Sequence, residues 1–189
     1  MNATNLSHLL LCAGTVHEWA ETTVDGWKDR IRLVAAASNT GGAAWATMVP
    51  NGIEDVAAAA VVRERLVAEL DGVTYADRVV LHSEDGVTVI VDPLADGRKR
   101  IANAIARLGN GIISEQRLSS VLSAPAPGEP DLIVVLGTAE RLPASLVWEL
   151  AYAELVFLDA PWNGLDFEHL EMAIDDFSRR SRRFGGLDS

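Results

Sequence analysis

The stretch from Asp131 to Gly186 constrains this chain most. Leu132 to Leu136 is an unbroken apolar run of strand length, and Gly137 supplies a turn before a helix predicted to begin near Pro143. Leu146, Trp148, Leu150 and Tyr152 are spread around that helix rather than confined to one stripe, as expected of an interior helix. Leu155 to Leu158 reads as another buried strand. Phe167, Leu170, Ala173, Ile174 and Phe177 then recur at helical spacing, and this last amphipathic helix ends in Arg179, Arg180, Arg182 and Arg183, followed by Gly185 and Gly186.

The rest of the chain repeats the alternation of short apolar runs and helical periods. Leu9 to Ala13, closed by Gly14, reads as a first buried strand. Val24, Trp27, Ile31 and Val34 mark a helix that runs out at Asn39, Gly41 and Gly42, with Thr22 and Thr23 placed to cap it. Ala43 to Val49 is a second strand stopped by Pro50, Asn51 and Gly52, and a helix follows from near Glu54 to Leu70. Arg78 to Leu81 and Val87 to Val91 are strand-like, and the Asp85-Gly86 between them is a hairpin signal. Ile101, Ala104, Ile105 and Leu108 form a helix ended by Gly109, and Ser114 can cap one holding Leu118, Val121 and Leu122. Ala124 to Pro130 is a connector, and the chain shows no internal repeat.

Composition narrows the function classes. A length of 189 residues suits a single domain spanning 1–189. A formal charge of -11 argues against nucleic acid as the main partner. Cys12 is the only cysteine, which rules out an internal disulfide and suits a reducing compartment. No apolar run reaches the length of about 18 residues that a membrane span needs, and the start lacks the basic residues of a signal peptide, so a cytoplasmic protein with no transmembrane segment is expected. No metal-ligand spacing of Cys and His, no P-loop and no dinucleotide fingerprint occurs, and His17 beside Glu18 reads as a surface pair.

Asp131, Leu132, Gly137, Arg141, Leu146, Trp148, Ala151, Tyr152, Glu154 and Phe157, with Arg182 to Gly186, match in order and spacing the pattern D-L-x-I-R-T-G-G-E-x-R-x-S-N-F-L-L-W-Q-x-A-Y-x-E-x-x-F that closes in R-R-F-G-G. By these residues the chain resembles the cis-prenyltransferases, the undecaprenyl diphosphate synthase family. The resemblance implies an α/β fold with a mainly parallel central sheet flanked by helices. Between Arg78 and Val91 it implies a helix joining two parallel strands, against the hairpin signal, and both readings stay open. It implies dimerisation through the apolar segments around Trp148 to Phe157. Arg98, in the family's G-R pair with Gly97, and Arg141 are the substrate-binding candidates it leaves, and Glu154 aligns with an acid that helps hold Mg²⁺.

The departures fall on chemistry. Where the family reads H-x-x-x-x-M-D-G-N-G-R-W-A, this chain keeps His8, Trp19 and Ala20 but has Gly14 for the Mg²⁺- and diphosphate-binding Asp and Glu18 for a phosphate-binding Arg. Glycine offers no side-chain oxygen to a hard cation, and each charge-assisted hydrogen bond lost is worth roughly 1.5–3 kcal/mol. Val135, Ala139 and Pro143 replace an Arg, a Glu and a Ser that bind isopentenyl diphosphate in the family, Thr22 and Thr23 replace a phosphate-gripping Gly-His pair, and the family's S-x-E-N-W loop is missing before the helix at Glu54.

The terminal R-x-G, Arg183 to Gly185, is retained, and in the family this tail contacts the diphosphate in the other subunit's active site. The combination resembles the Nogo-B receptor type of accessory subunit. It implies a non-catalytic subunit that pairs with a catalytic cis-prenyltransferase chain, handles prenyl diphosphates only through the complex, and supplies Arg183 and Gly185 in trans. The partner would hold most of the Mg²⁺, and the chain alone would need no cofactor. The alternatives are a divergent homodimeric synthase or isoprenoid cyclase, and a polyprenyl- or protein-binding module without catalysis.

Overall fold

A computed structural model of the chain describes residues 6–109, 111–137 and 142–184, the last four by backbone alone. Five strands run parallel: β1 (His8–Cys12), β2 (Trp45–Val49), β5 (Thr88–Val91), β6 (Leu132–Leu136) and β7 (Glu154–Leu158). Antiparallel β4 (Arg78–His82) and β3 (Val73–Tyr75) extend the edge beyond β5, so the order is β3-β4-β5-β2-β1-β6-β7. The mainly parallel sheet flanked by helices is thus present. The hairpin signal prevails between Arg78 and Val91. A polar turn, Ser83 to Gly86, joins β4 to β5 with no helix, and Gly86 takes φ +81° in it.

Alternate residues of the central strands go to opposite faces. Leu9, Leu11 and Ala13 join the larger core beneath α1 (Val16–Glu21), α2 (Val24–Thr40), α3 (Val56–Leu70) and α6 (Phe167–Phe184). Leu10 and Cys12 face the other layer, built from α4 (Gly97–Leu108), α5 (Glu115–Ser123) and short 3₁₀ turns. Thr23 and Ser114 set helix starts as the sequence predicts, accepting from Gly26 N at 3.1 Å and from Arg117 N, and Asp55 caps α3 by accepting from Ala57 N and Ala58 N. Among the described residues no helix is long and apolar enough to cross a membrane.

Three expectations change. The interior helix after Pro143 is a pair of 3₁₀ turns, Ala144–Leu146 and Glu149–Ala151, with Val147 and Tyr152 exposed. Ser145 O accepts a hydrogen bond from Arg100 Nη1 at 2.7 Å, which diverts it from an α-helical ladder. β7 is an edge strand, of which only Val156 is fully buried. Finally, α6 continues to Phe184, so Arg183 lies within its last turn.

Candidate functional site

In an open parallel sheet, ligands bind beyond the carboxyl ends of the strands, where the connections diverge to either side. Here β1 is that point: its chain continues toward β2, while β6 pairs on its other edge. Gly14 follows β1 and Gly137 follows β6, and both take positive φ, +63° and +109°.

The space around Gly14 is filled. A Cβ placed there would lie 3.0 Å from Trp162 Cβ and Cγ and 3.2 Å from Trp19 Nε1. Trp19, Trp27 and Trp162 form a cluster with ring centroids 5.4 to 5.7 Å apart, each at most 2 % exposed. Trp19 Nε1 donates to Ala13 O, Trp27 Nε1 to Trp19 O and Trp162 Nε1 to Thr22 Oγ1, while the Arg30 guanidinium lies over the Trp162 ring. All three indole N–H groups are thereby satisfied inside the chain, which fixes the cluster in place.

The helix starts nearby are closed as well. Thr15 and Glu18 form a reciprocal capping box: Glu18 N donates to Thr15 Oγ1 at 3.2 Å and Thr15 N to Glu18 Oε2 at 2.7 Å. Glu18, at the family's Arg position, therefore presents a carboxylate where an anion would need N–H groups. His17 pairs with Asp55 at 3.3 Å rather than with Glu18.

On the opposite face, Val135 is 1 % exposed in a dry cluster with Leu10, Cys12, Val49, Ile133 and Leu146. Burial pushes the Cys12 thiol up to about 12, so it is no nucleophile at neutral pH. Of the two places where the resemblance expects phosphate chemistry, Val135 is packed interior, and Gly14, half-buried, lies against the Trp162 and Trp19 side chains.

The structure does not bring the candidate residues together. Arg98 stands in the first turn of α4 with its side chain 85 % exposed, 3.6 Å from the carboxylate of its own cap, Asp96. Glu154 opens β7 opposite Leu132, which is level with Leu9 of β1. The climb from Leu9 to Cys12 alone is roughly 10 Å, so Glu154 and Gly14 occupy opposite ends of the sheet. Arg141 and Gly185 lie outside the described residues, as does the side chain of Arg183.

The Mg²⁺ implied by the family does not fit the described residues. Gly14 has no side-chain oxygen to offer and no room for one, its carbonyl accepts from Asn51 N at 2.6 Å, Glu154 is at the wrong end, and no group of three or more His, Cys, Asp or Glu side chains among the described residues could hold a metal ion.

A buried ion chain that sequence reasoning missed ties α4 to the sheet. Asp92, after β5, accepts from Arg78 Nε at 2.9 Å and Arg100 Nε at 3.1 Å, and Arg100 reaches Glu149 at 2.8 Å. Burial alone would raise the Asp92 carboxyl, but the guanidinium groups of Arg100 and Arg78 outweigh it and hold the group below its ordinary value. Arg100, two positions from the exposed Arg98, faces inward. Its signal in the sequence is its place one helical turn after the cap Asp96, with Ala104 continuing the same inward stripe.

The course of α6 bears on the tail. A Cβ at Gly41, at the end of α2, would lie 2.8 Å from Leu6 and 3.0 Å from Ile174. Ile174 is therefore already at the amino end of the sheet, and the remaining turns to Phe184 carry the chain roughly 15 Å farther. α6 thus ends, at Phe184, on the side of the sheet opposite Gly14.

Residues 64–185 match the profile of the family described as "Putative undecaprenyl diphosphate synthase". Isoprenyl transferase 2 of Bradyrhizobium diazoefficiens is 33% identical over 142 residues, which cover 67% of this chain and 56% of that protein. An isoprenyl transferase of Chromobacterium violaceum is 34% identical over 126 residues, covering 65% of this chain and 50% of that one. The matched chain thus spans about half the length of these curated relatives. The crystal structure of a probable undecaprenyl diphosphate synthase from Campylobacter jejuni superimposes with a TM-score of 0.64 at 18% identity, covering 98% of this chain and 100% of that one. At that identity the likeness is one of fold.

Proposed function

We propose, since the chain belongs to the cis-prenyltransferase (undecaprenyl diphosphate synthase) family, that it serves as the non-catalytic subunit of a heterodimeric cis-prenyltransferase. In this reading the whole chain acts in the cytoplasm as one domain of the Nogo-B receptor type. A catalytic partner holds Mg²⁺ and condenses isopentenyl diphosphate with an allylic diphosphate, while this chain supplies Arg183 and Gly185 to the partner's active site. Arg183 contacts diphosphate, and Gly185 lets the backbone approach it closely.

The observation that carries the proposal is the packing over Gly14. The position at which the family places its metal-binding Asp lies under Trp162 and Trp19, and the neighbouring helix start is capped by the chain's own Glu18. The direction of α6 supports it further, since the helix ends, at Phe184, at the amino end of the sheet, far from the chain's own carboxyl-end site.

A second reading draws on the relatives, which are named isoprenyl transferases: a divergent homodimeric synthase or isoprenoid cyclase active without a second kind of subunit, using Glu154 and Arg141 in a rebuilt pocket. A prenyl transfer assay on the purified chain, with and without co-expressed catalytic homologues, separates the two. The subunit reading predicts no transfer by the chain alone and transfer above the homologue's own rate in the pair. Mg²⁺-dependent product formation by the isolated chain overturns it.

A further inference from the structure

A polar cavity lies between the first two strands and the second 3₁₀ turn. His8, Thr47, Arg78, Arg100, Ser123 and Glu149 line it, and it leaves about 10 Å³ for the centre of a water molecule, room for one. Its hydrogen bonding is one-sided. His8 Nδ1 lies 3.0 Å from Gly128 O, a carbonyl that can only accept, so Nδ1 carries the ring proton and Nε2 accepts from Thr47 Oγ1 at 2.8 Å. Burial, with the charge of Arg78 adding to it, outweighs Gly128 and Asp131 and holds the imidazole below its ordinary value, in keeping with a neutral ring. The Thr47 hydroxyl has thus spent its proton and offers only lone pairs. Glu149 is 7 % exposed; its Oε1 takes Arg100 Nη2 at 2.8 Å, while its Oε2 is buried with no partner among the described residues. The arginines are committed elsewhere, each guanidinium nitrogen of both already donating to Asp92, to Glu149 Oε1 or to a backbone carbonyl.

Two buried acceptors therefore belong to one cavity, and a ligand that satisfies both must donate twice. A simple anion has no proton to give, and a cation such as ammonium would sit against Arg78 and Arg100. We infer that the cavity is a binding site for a single ordered water, which donates to Glu149 Oε2 and Thr47 Oγ1 and accepts from the Ser123 hydroxyl. About three bonds are usual for a buried water. Through it a hydrogen-bonded chain runs from Gly128, ahead of β6, through His8 and Thr47 to Glu149, Arg100 and Asp92. The second 3₁₀ turn is thereby tied to β1 and β2 as well as to α4, whichever functional reading holds.

The test joins a crystal structure of the full chain to water-oxygen magnetic relaxation dispersion, which counts long-lived internal waters, on the wild type, Thr47→Val and Thr47→Ser. The wild type should show a density peak roughly 2.7–3.2 Å from both Glu149 Oε2 and Thr47 Oγ1, unchanged by bromide or rubidium soaks. Thr47→Val, of the same shape without the hydroxyl, should lose the contribution of a single water from the dispersion. It should also speed hydrogen exchange at the Ala151 and Ala153 amides, which bond within the second turn to Trp148 O and Glu149 O. Thr47→Ser should restore both readouts. If Thr47→Val does not fold, the wild-type peak and an unchanged dispersion in Thr47→Ser still decide. A dry cavity, an ion at the peak, or a Thr47→Val dispersion equal to that of the wild type overturns the inference.

Discussion

Gly14 is held by two constraints at once. Its φ of +63° disfavours any side chain, and the Trp162 and Trp19 rings occupy the volume where one would go. Restoring the family's acid here therefore should not restore its chemistry. Gly14→Asp is expected to lose about 2–4 kcal/mol of stability in urea unfolding, from backbone strain and overpacking together, and calorimetry should detect no gained Mg²⁺ binding. A variant as stable as the parent that binds Mg²⁺ would show that the tryptophan cluster yields easily and that the site is merely missing a ligand. The loss of the acid was legible in the sequence, because it rests on one letter in a spaced motif. The cluster that fills its place was not, since Trp162 meets Trp19 and Trp27 only through the turn that follows β7, far from them in sequence.

Among the elements, α4 shows how far a pattern reaches. Its end at Gly109 and the inward side of Ile101, Ala104 and Leu108 follow from the spacing, while Ile105 is exposed and the cap Asp96 emerges only with the structure. The choice between Arg98 and Arg100 does not follow, because two arginines in one helical turn look alike until the sheet supplies Asp92 and the turns supply Glu149. Arg100→Ala leaves Glu149 buried without a cation and Asp92 with one guanidinium fewer, at a cost of about 3–5 kcal/mol. Arg98→Ala, at an exposed site, should stay within about 0.5 kcal/mol. Equilibrium urea unfolding of the two variants decides this, and equal costs would mean that the buried ion chain does not secure α4. The same contact explains the missed 3₁₀ turns: Arg100 draws Ser145 O out of a helical ladder, a long-range effect that no local period contains. The β4–β5 hairpin was legible because Asp85-Gly86 is a local signal, and here it outweighed the family expectation.

For the whole molecule, the sheet and the course of α6 place Gly14 and the last turn of α6, which holds Arg183, at opposite ends. The sequence exposed both features, the altered Gly14 motif and the intact R-x-G, but gave no distance between them. That distance depends on α6 running back past Leu6 and beyond the amino end of the sheet. An Arg183 so placed in the chain is far from its own Gly14, and the central claim is that it serves a partner's site. The most direct measurement is steady-state prenyl transfer by the reconstituted pair carrying Arg183→Ala in this chain, beside Arg179→Ala as the control. Arg179 lies one turn earlier and 3.8 Å from Asp175 on the helix surface. An arginine that only complements the helix dipole is worth about 0.3–1 kcal/mol, a factor of about two to five, whereas a charge-assisted contact to diphosphate is worth roughly ten- to 150-fold. The account predicts that Arg183→Ala leaves the pair assembled and lowers turnover by more than about tenfold while Arg179→Ala stays within the smaller factor. Turnover within about fivefold of wild type for both variants, in a pair that still assembles, would contradict it.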